Sequence, residues 1–217
     1  MILKDSFKKE QLPFLFLDTA YDSTHALYLA DDQYQIQNLG VIQSSDLIHH
    51  SLYQQLKEFD LKLSQVKTLI TIAGPGFYTG LRVAEGLAQT LSHLGLTHYS
   101  FYHHQWPFDL IADCQAWVCN GFKGQIFIAG KNNQTQLYSL KDQSWLEQLP
   151  QNVYSYSEDS VKTIEDPIRK AGKTIHFTSQ LFNEKLIELC FQVIQKQRRE
   201  EIFYFRSIQN EFKTNGA

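Results

Sequence analysis

Short apolar runs alternate with longer stretches of helical period along the first half of the chain. Residues 13–19 (PFLFLDT) are apolar until Asp18, a pattern that predicts a short buried strand. Residues 24–30 (THALYLA) and 34–42 (YQIQNLGVI) follow, separated by the turn Asp31-Asp32-Gln33, and predict an antiparallel meander. Ile48, Leu52, Leu56 and Phe59 recur at helical spacing and predict a helix from about Ser45 to Phe59, capped by Ser44 or Ser45. Residues 67–73 (KTLITIA) read as a strand that runs into Gly74-Pro75-Gly76 and then a helix from about Tyr78 to Leu94. A strand at 97–101 completes a β-α-β-α-β order, which predicts a mixed sheet with helices packed on it.

The second half is patterned more faintly. Strands are expected at 115–119, 124–129 and 135–140, and a short helix at 142–149. A long helix from about Ser179 to Arg199 places Phe182, Leu186, Cys190 and Val193 on one face, and Ile202 to Phe205 reads as a closing strand. Asp109 to Asp113 is the candidate boundary, which divides the chain into an N-terminal lobe, 1–110, and a C-terminal lobe, 111–217.

Composition narrows the classes. Hydrophobic content of 43% and charged content of 20% are globular values, so a packed core is expected. The net charge of −3 offers no overall attraction for a phosphate backbone, so no direct grip on a nucleic acid is expected. Three cysteines, Cys114, Cys119 and Cys190, have no disulfide-framework spacing. The opening MILKDSFKKEQ is polar, and the apolar run Phe14 to Leu17 is too short for a leader's core, so the expectation is a cytoplasmic protein with no membrane association. His49-His50 and His103-His104 are adjacent pairs and lack the i, i+4 spacing that aims two imidazoles from one helix face, so no metal is expected.

The most informative stretch is 71-TIAGPGFYTGLRVAEGLAQTL-91. Three glycines within seven residues, with a proline between the first two, suit a tight strand-to-helix turn. Pro75 fixes one φ, while Gly74 and Gly76 can take positive φ or permit close backbone approach. The helix after the turn has two adjacent apolar stripes: Leu81, Ala84, Ala88 and Leu91, then Val83, Leu87, Thr90 and Leu94. Together they span about half the circumference, more than the roughly 100° that one packed face needs. Gly76, Gly80, Ala84 and Ala88 recur at steps of four and would let another helix approach closely. Two explanations stand: the extra arc packs on the chain's own helix at 45–59, or it receives another protein.

The string GPGxxTGLR at 74–82 resembles the GPGSFTGLR signature of the TsaB (YeaZ) family, differing at Phe77 and Tyr78. Leu17-Asp18-Thr19-Ala20 resembles the family's opening Ile-Asp-Thr-Ser, and Tyr204-Phe205-Arg206 resembles its late Tyr-Leu-Arg. Asn120-Gly121-Phe122-Lys123 departs from the family's Asp-Ala-Arg element, and the likeness covers roughly 13–130. The resemblance implies the two-lobed actin, Hsp70 and sugar-kinase α/β fold, mixed sheets flanked by helices, with the second lobe reduced.

It further implies a non-catalytic subunit of the machinery that attaches threonylcarbamoyl to the adenosine next to the anticodon of tRNA. Such a subunit holds a metal-bearing TsaD-type catalytic partner in competent form and is engaged with it by a TsaE-type ATPase. On that reading the partner-binding candidates are Leu52, Leu56, Gly76, Tyr78, Gly80, Arg82, Ala84, Ala88 and Leu91. No cofactor is expected: Asp18 could be the fold's first aspartate, but the hairpin Thr19-Ala20-Tyr21-Asp22-Ser23-Thr24 lacks glycine and carries an acid. After Gly130 only Gly172 and Gly216 remain, so no glycine pair is left to admit adenosine. The rival readings are an ATP-dependent small-molecule kinase of the same fold, a peptidase, and a homodimer formed through the same helices.

Overall fold

The computed structural model describes residues 11–21, 24–28, 34–38, 45–132 and 134–205. Their contacts form two compact units, one of 1–102 with 185–202 and one of 103–184 with 203–217. The expected turn at 31–33, the cap at Ser44 and the end of the strand at 42 lie outside the described residues.

The first unit holds β1 (Phe14–Asp18), β2 (Thr24–Tyr28), β3 (Tyr34–Asn38), α1 (Ser45–Glu58), β4 (Thr68–Ile72), α2 (Tyr78–His93) and β5 (Thr97–Phe101). Its sheet has the order β3-β2-β1-β4-β5. β1 pairs antiparallel with β2 and β2 with β3, giving the expected meander, while β1 and β5 flank β4 in parallel. Every residue of β1 and of β4 is buried, as strands covered on both faces must be. On one face Leu15, Leu17 and Leu69 pack against Ile48, Leu52 and Leu56 of α1 and Ala84, Ala88 and Leu91 of α2. On the other, Phe14 meets the ring of Phe191 edge-on at 5.6 Å.

The second unit holds α3 (Gln105–Leu110), β6 (Ala116–Asn120), β7 (Gln125–Gly130), β8 (Thr135–Ser139), α4 (Ser144–Gln148), β9 (Asn152–Ser155), α5 (Glu158–Val161), α6 (Glu165–Lys170) and β10 (Thr174–Phe177). Its sheet order, β10-β9-β6-β7-β8, is the first sheet's order over again: a three-strand antiparallel meander whose first strand adjoins two further parallel strands. The reduction expected of the second lobe falls on its helices. Those on either side of β9 are four to six residues long, where α1 and α2 have 14 and 16. Trp145, Val118, Ile126 and Ile168 form the core on one face, and Trp117, Phe127 and His104 pack on the other.

The last helix, α7 (Ser179–Gln195), ends short of the expected Arg199. Ile202 to Phe205 form no strand, which corrects the sequence reading. The segment just before it runs along the outer edge of β5: Ser100 N–H donates to the Arg198 carbonyl, and Ser100 Oγ bonds both the carbonyl and the N–H of Glu200. Tyr102 O–H donates to the Glu201 carbonyl at 2.7 Å. The apolar residues of 202–205 serve side-chain packing, with Phe203 centred 4.9 Å from Phe127.

Each unit encloses a histidine held neutral. In the first, burial and the nearby Arg199 charge lower His98 to about 4, and its Nε2 shares a 2.9 Å hydrogen bond with Thr71 Oγ1. In the second, burial lowers His104 to about 3. Both groups protonate more readily in the unfolded chain, so their contribution to stability is intact above about pH 6.5 and is lost as pH falls from there towards 4. Urea unfolding followed from pH 7.5 to 4.5 is expected to lose stability at up to about 1.4 kcal/mol per pH unit for each histidine. The His104→Leu variant is expected to show a shallower slope, whatever its stability at pH 7.5; an unchanged slope would refute the assignment.

Candidate functional site

The turn after β4 and the two long helices of the first unit form the site. Gly74 adopts φ 111°, a conformation open to glycine, and hands the chain through Pro75 to Gly76. Gly76 serves close approach: a Cβ there would lie 2.4 Å from the Ala20 carbonyl oxygen. Gly80, in the first turn of α2, is tighter still, with a Cβ falling 1.9 Å from the Thr19 carbonyl oxygen. The segment that leaves β1 therefore crosses directly over the start of α2. Two hydrogen bonds fasten it there: Phe77 N–H donates to Ala20 O at 2.6 Å and Thr19 Oγ1 donates to Gly80 O at 2.7 Å.

That crossing borders the helix N-terminus. Free N–H groups at a helix start favour anions. Here the N–H of the N-cap residue Phe77 is taken by the Ala20 carbonyl, and the Thr19 carbonyl crowds the Cα of Gly80. Asp18, fully buried, accepts the Ala20 N–H on Oδ1 at 2.8 Å and so shapes the same segment.

The sequence-predicted partner residues divide by location. Ala84, Ala88 and Leu91 are buried in the first unit's own core beside Leu15, Leu17 and Leu69, so own-chain packing accounts for that stripe of α2. Gly76 and Gly80 pack on the β1 exit. Leu52 and Leu56 are buried too, yet their edges join Leu61, Leu63 and Leu87 in lining a groove of about 500 Å³ beside α1. His49, Tyr53, Lys57, Asp60 and Lys62 also line it. Tyr78 and Arg82 are exposed, with the Arg82 guanidinium 5.4 Å from the Tyr78 ring centre.

The most exposed apolar groups here are Leu94 at 69%, which the sequence placed on the second stripe, and Tyr53 at 62% and Phe77 at 53%, which sequence reasoning missed. For Tyr53 a signal was present, since it follows Leu52 by one position and so points off the buried stripe. Phe77 stands edge-on to Tyr21 at 6.0 Å. Among the described residues no cluster of three or more His, Cys, Asp and Glu side chains is placed to hold a metal, and no helix is long and apolar enough to cross a membrane.

The glycines make a paired test. Gly80→Ala forces a methyl onto backbone and is expected to cost about 2–4 kcal/mol. Gly86, exposed in the same helix with nothing within 4 Å of its absent Cβ, is expected to gain about 0.5–1 kcal/mol as Gly86→Ala. Chemical denaturation of both variants checks the pair, and equal effects would contradict the crossing.

No family model matches the sequence, and no curated protein does. Solved structures do. A crystal structure of an uncharacterized protein with similarity to peptidase YEAZ from Pseudomonas aeruginosa aligns at 14% identity over 89% of this chain and 99% of that one, with a TM-score of 0.59. YeaZ from Pseudomonas aeruginosa aligns at 18% identity over 58% of this chain and 64% of that one, with a TM-score of 0.45, so the match spans just under two thirds of that protein. The ethanolamine utilization protein EutJ from Carboxydothermus hydrogenoformans aligns at 15% identity over 76% of this chain and 83% of that one, with a TM-score of 0.41. With one strand order built twice and a neighbour matched over nearly its whole length, the chain has the fold of that YeaZ-like protein, the two-lobed α/β architecture that the family resemblance implied.

Proposed function

We propose that this chain is a non-catalytic partner subunit of the TsaB (YeaZ) kind, which binds a TsaD-type catalytic subunit and holds it competent for threonylcarbamoyl transfer to tRNA. The observation that carries the reading is the apolar-floored groove beside α1, with Tyr53 62% exposed among the residues that line it. An aliphatic floor with aromatic and charged side chains around it is the composition of a protein-binding patch. The Gly76 and Gly80 signature then has an indirect role: it seats α2 so that Leu87 reaches the groove.

The docking surface in this proposal is displaced from the stripe Ala84, Ala88 and Leu91, which the core uses, to Tyr53, Leu87, Leu94 and the Tyr78–Arg82 pair. Against the kinase alternative stands the turn itself, where the Ala20 carbonyl takes the Phe77 N–H. A subunit of this kind works in the cytosol, where the buried free thiols Cys114, Cys119 and Cys190 remain reduced. A TsaE-type ATPase would engage the assembled pair.

Purified with a cognate TsaD-type protein, the chain is expected to co-elute with it and to raise its transfer activity. Tyr53→Glu is expected to weaken the complex at least about tenfold with an unchanged melting temperature, because it charges an exposed interface position. Absence of a complex and of any effect on transfer would sink the reading, and tight ATP binding by the isolated chain would revive the kinase.

A further inference from the structure

β8 forms one outer edge of the second sheet, and no described residue pairs with its far side. Its hydrogen-bond phase follows from the bonds at its ends. Gly130 N–H donates to Gln134 O and Leu140 N–H donates to Gly124 O, so the even-numbered residues exchange bonds with β7. Antiparallel ladders alternate, which turns the N–H and C=O groups of Thr135, Leu137 and Ser139 outward. The odd side chains share the sheet face of Phe127, the register partner of Leu137.

Both edges of the first sheet carry bonds from the chain itself. The 198–200 segment bonds to Ser100 on β5, and Gln55 Nε2 of α1 donates to the Gln35 carbonyl of β3. β8 lacks the usual deterrents to edge pairing, having no charge, no proline and no glycine in Thr-Gln-Leu-Tyr-Ser. Leu137, at its centre, is 40% exposed.

The order of residues is self-complementary. Turned antiparallel on a copy of itself about Leu137, the strand sets Thr135 against Ser139, Gln136 against Tyr138 and Leu137 against Leu137. Hydroxyl meets hydroxyl, amide meets phenol and aliphatic meets aliphatic, with no like charges opposed. The flanks carry both signs, Lys131 before the strand and Lys141 and Asp142 after it. β10, the opposite edge, reads Thr-Ile-His-Phe and sets unlike residues together about its middle.

We propose that two copies of this chain pair through β8 about a two-fold axis at Leu137, joining two five-stranded sheets into one. The outward N–H and C=O of Leu137 bond their equivalents, and the outward N–H of Ser139 donates to the Thr135 carbonyl of the second copy. Ser139 O already accepts the Asp142 N–H at 3.1 Å, which leaves about four new backbone bonds. One short strand pair buries little surface, so the dimer is weak, with a dissociation constant on the order of 100 μM. The proposal goes beyond the partner reading and is independent of it: that one uses the helices of the first unit, this one a strand of the second.

Sedimentation equilibrium of the full chain from about 5 μM to about 1 mM is expected to show monomer passing to dimer. Leu137→Lys, which opposes two charges across the axis, is expected to weaken self-association at least tenfold, while Leu137→Val preserves it. Ser139→Pro deletes the outward N–H that donates to the second copy, without touching the ladder to β7, and is expected to act like Leu137→Lys, which keeps the test open should the lysine variant fail to fold. Amide exchange at 137 and 139 is expected to slow as concentration rises. A chain that stays monomeric to about 1 mM would overturn the proposal. So would a dimer that survives both variants or one abolished by Tyr53→Glu. Exchange slowed equally at every concentration would overturn it too, since the chain's own residues would then cover the edge.

Discussion

The first unit depends on one backbone-on-backbone contact. The chain leaving β1 passes over the start of α2 so closely that hydrogen is the largest group tolerated at Gly76 and Gly80. Because Thr19 and Ala20 are anchored to that helix, α2 meets the sheet in a fixed register, and Ala84, Ala88 and Leu91 fall onto Leu15, Leu17 and Leu69. Fixing that register also fixes which residues are left over, and the leftover face is the one that borders the groove beside α1.

The same contact lies at the start of a helix. A strand, a glycine turn and a helix N-terminus make an anion cradle when the turn is open above. Here the Ala20 carbonyl takes the N–H of the N-cap residue, and the Thr19 carbonyl packs against Gly80. The second unit repeats the strand order but surrounds β9 with helices of four to six residues. Such helices cannot present a long apolar stripe as α1 and α2 of the first unit do.

The first unit was largely legible because its elements are long enough to show a period. α1 and α2 follow the 3.6-residue repeat for three or more turns, and β1 and β4 are unbroken apolar runs. Much of the second unit escaped notice for the opposite reason. α3, β9, α5, α6 and β10 are each four to six residues long, too few for any period, and β9 contains Tyr154 and Ser155, whose burial rests on side-chain hydrogen bonds. The site was legible in part. The glycine string located the turn, but the sequence could not say that Ala84 and Ala88 face the chain's own sheet, because a partner helix and a neighbouring sheet ask for the same small residues.

The strap along β5 bears on how the molecule is made. Residues 185–202 belong to the first unit, although the whole of 103–184 is translated in between. While the nascent chain is being synthesised, the first sheet has a bare β5 edge and lacks the ring of Phe191 against Phe14. The second unit's strands all emerge before the first unit can be closed. The ribosome thus releases the lobe with the longer helices last in completeness though first in sequence, and its unfinished edge is exposed for the time needed to make some eighty intervening residues.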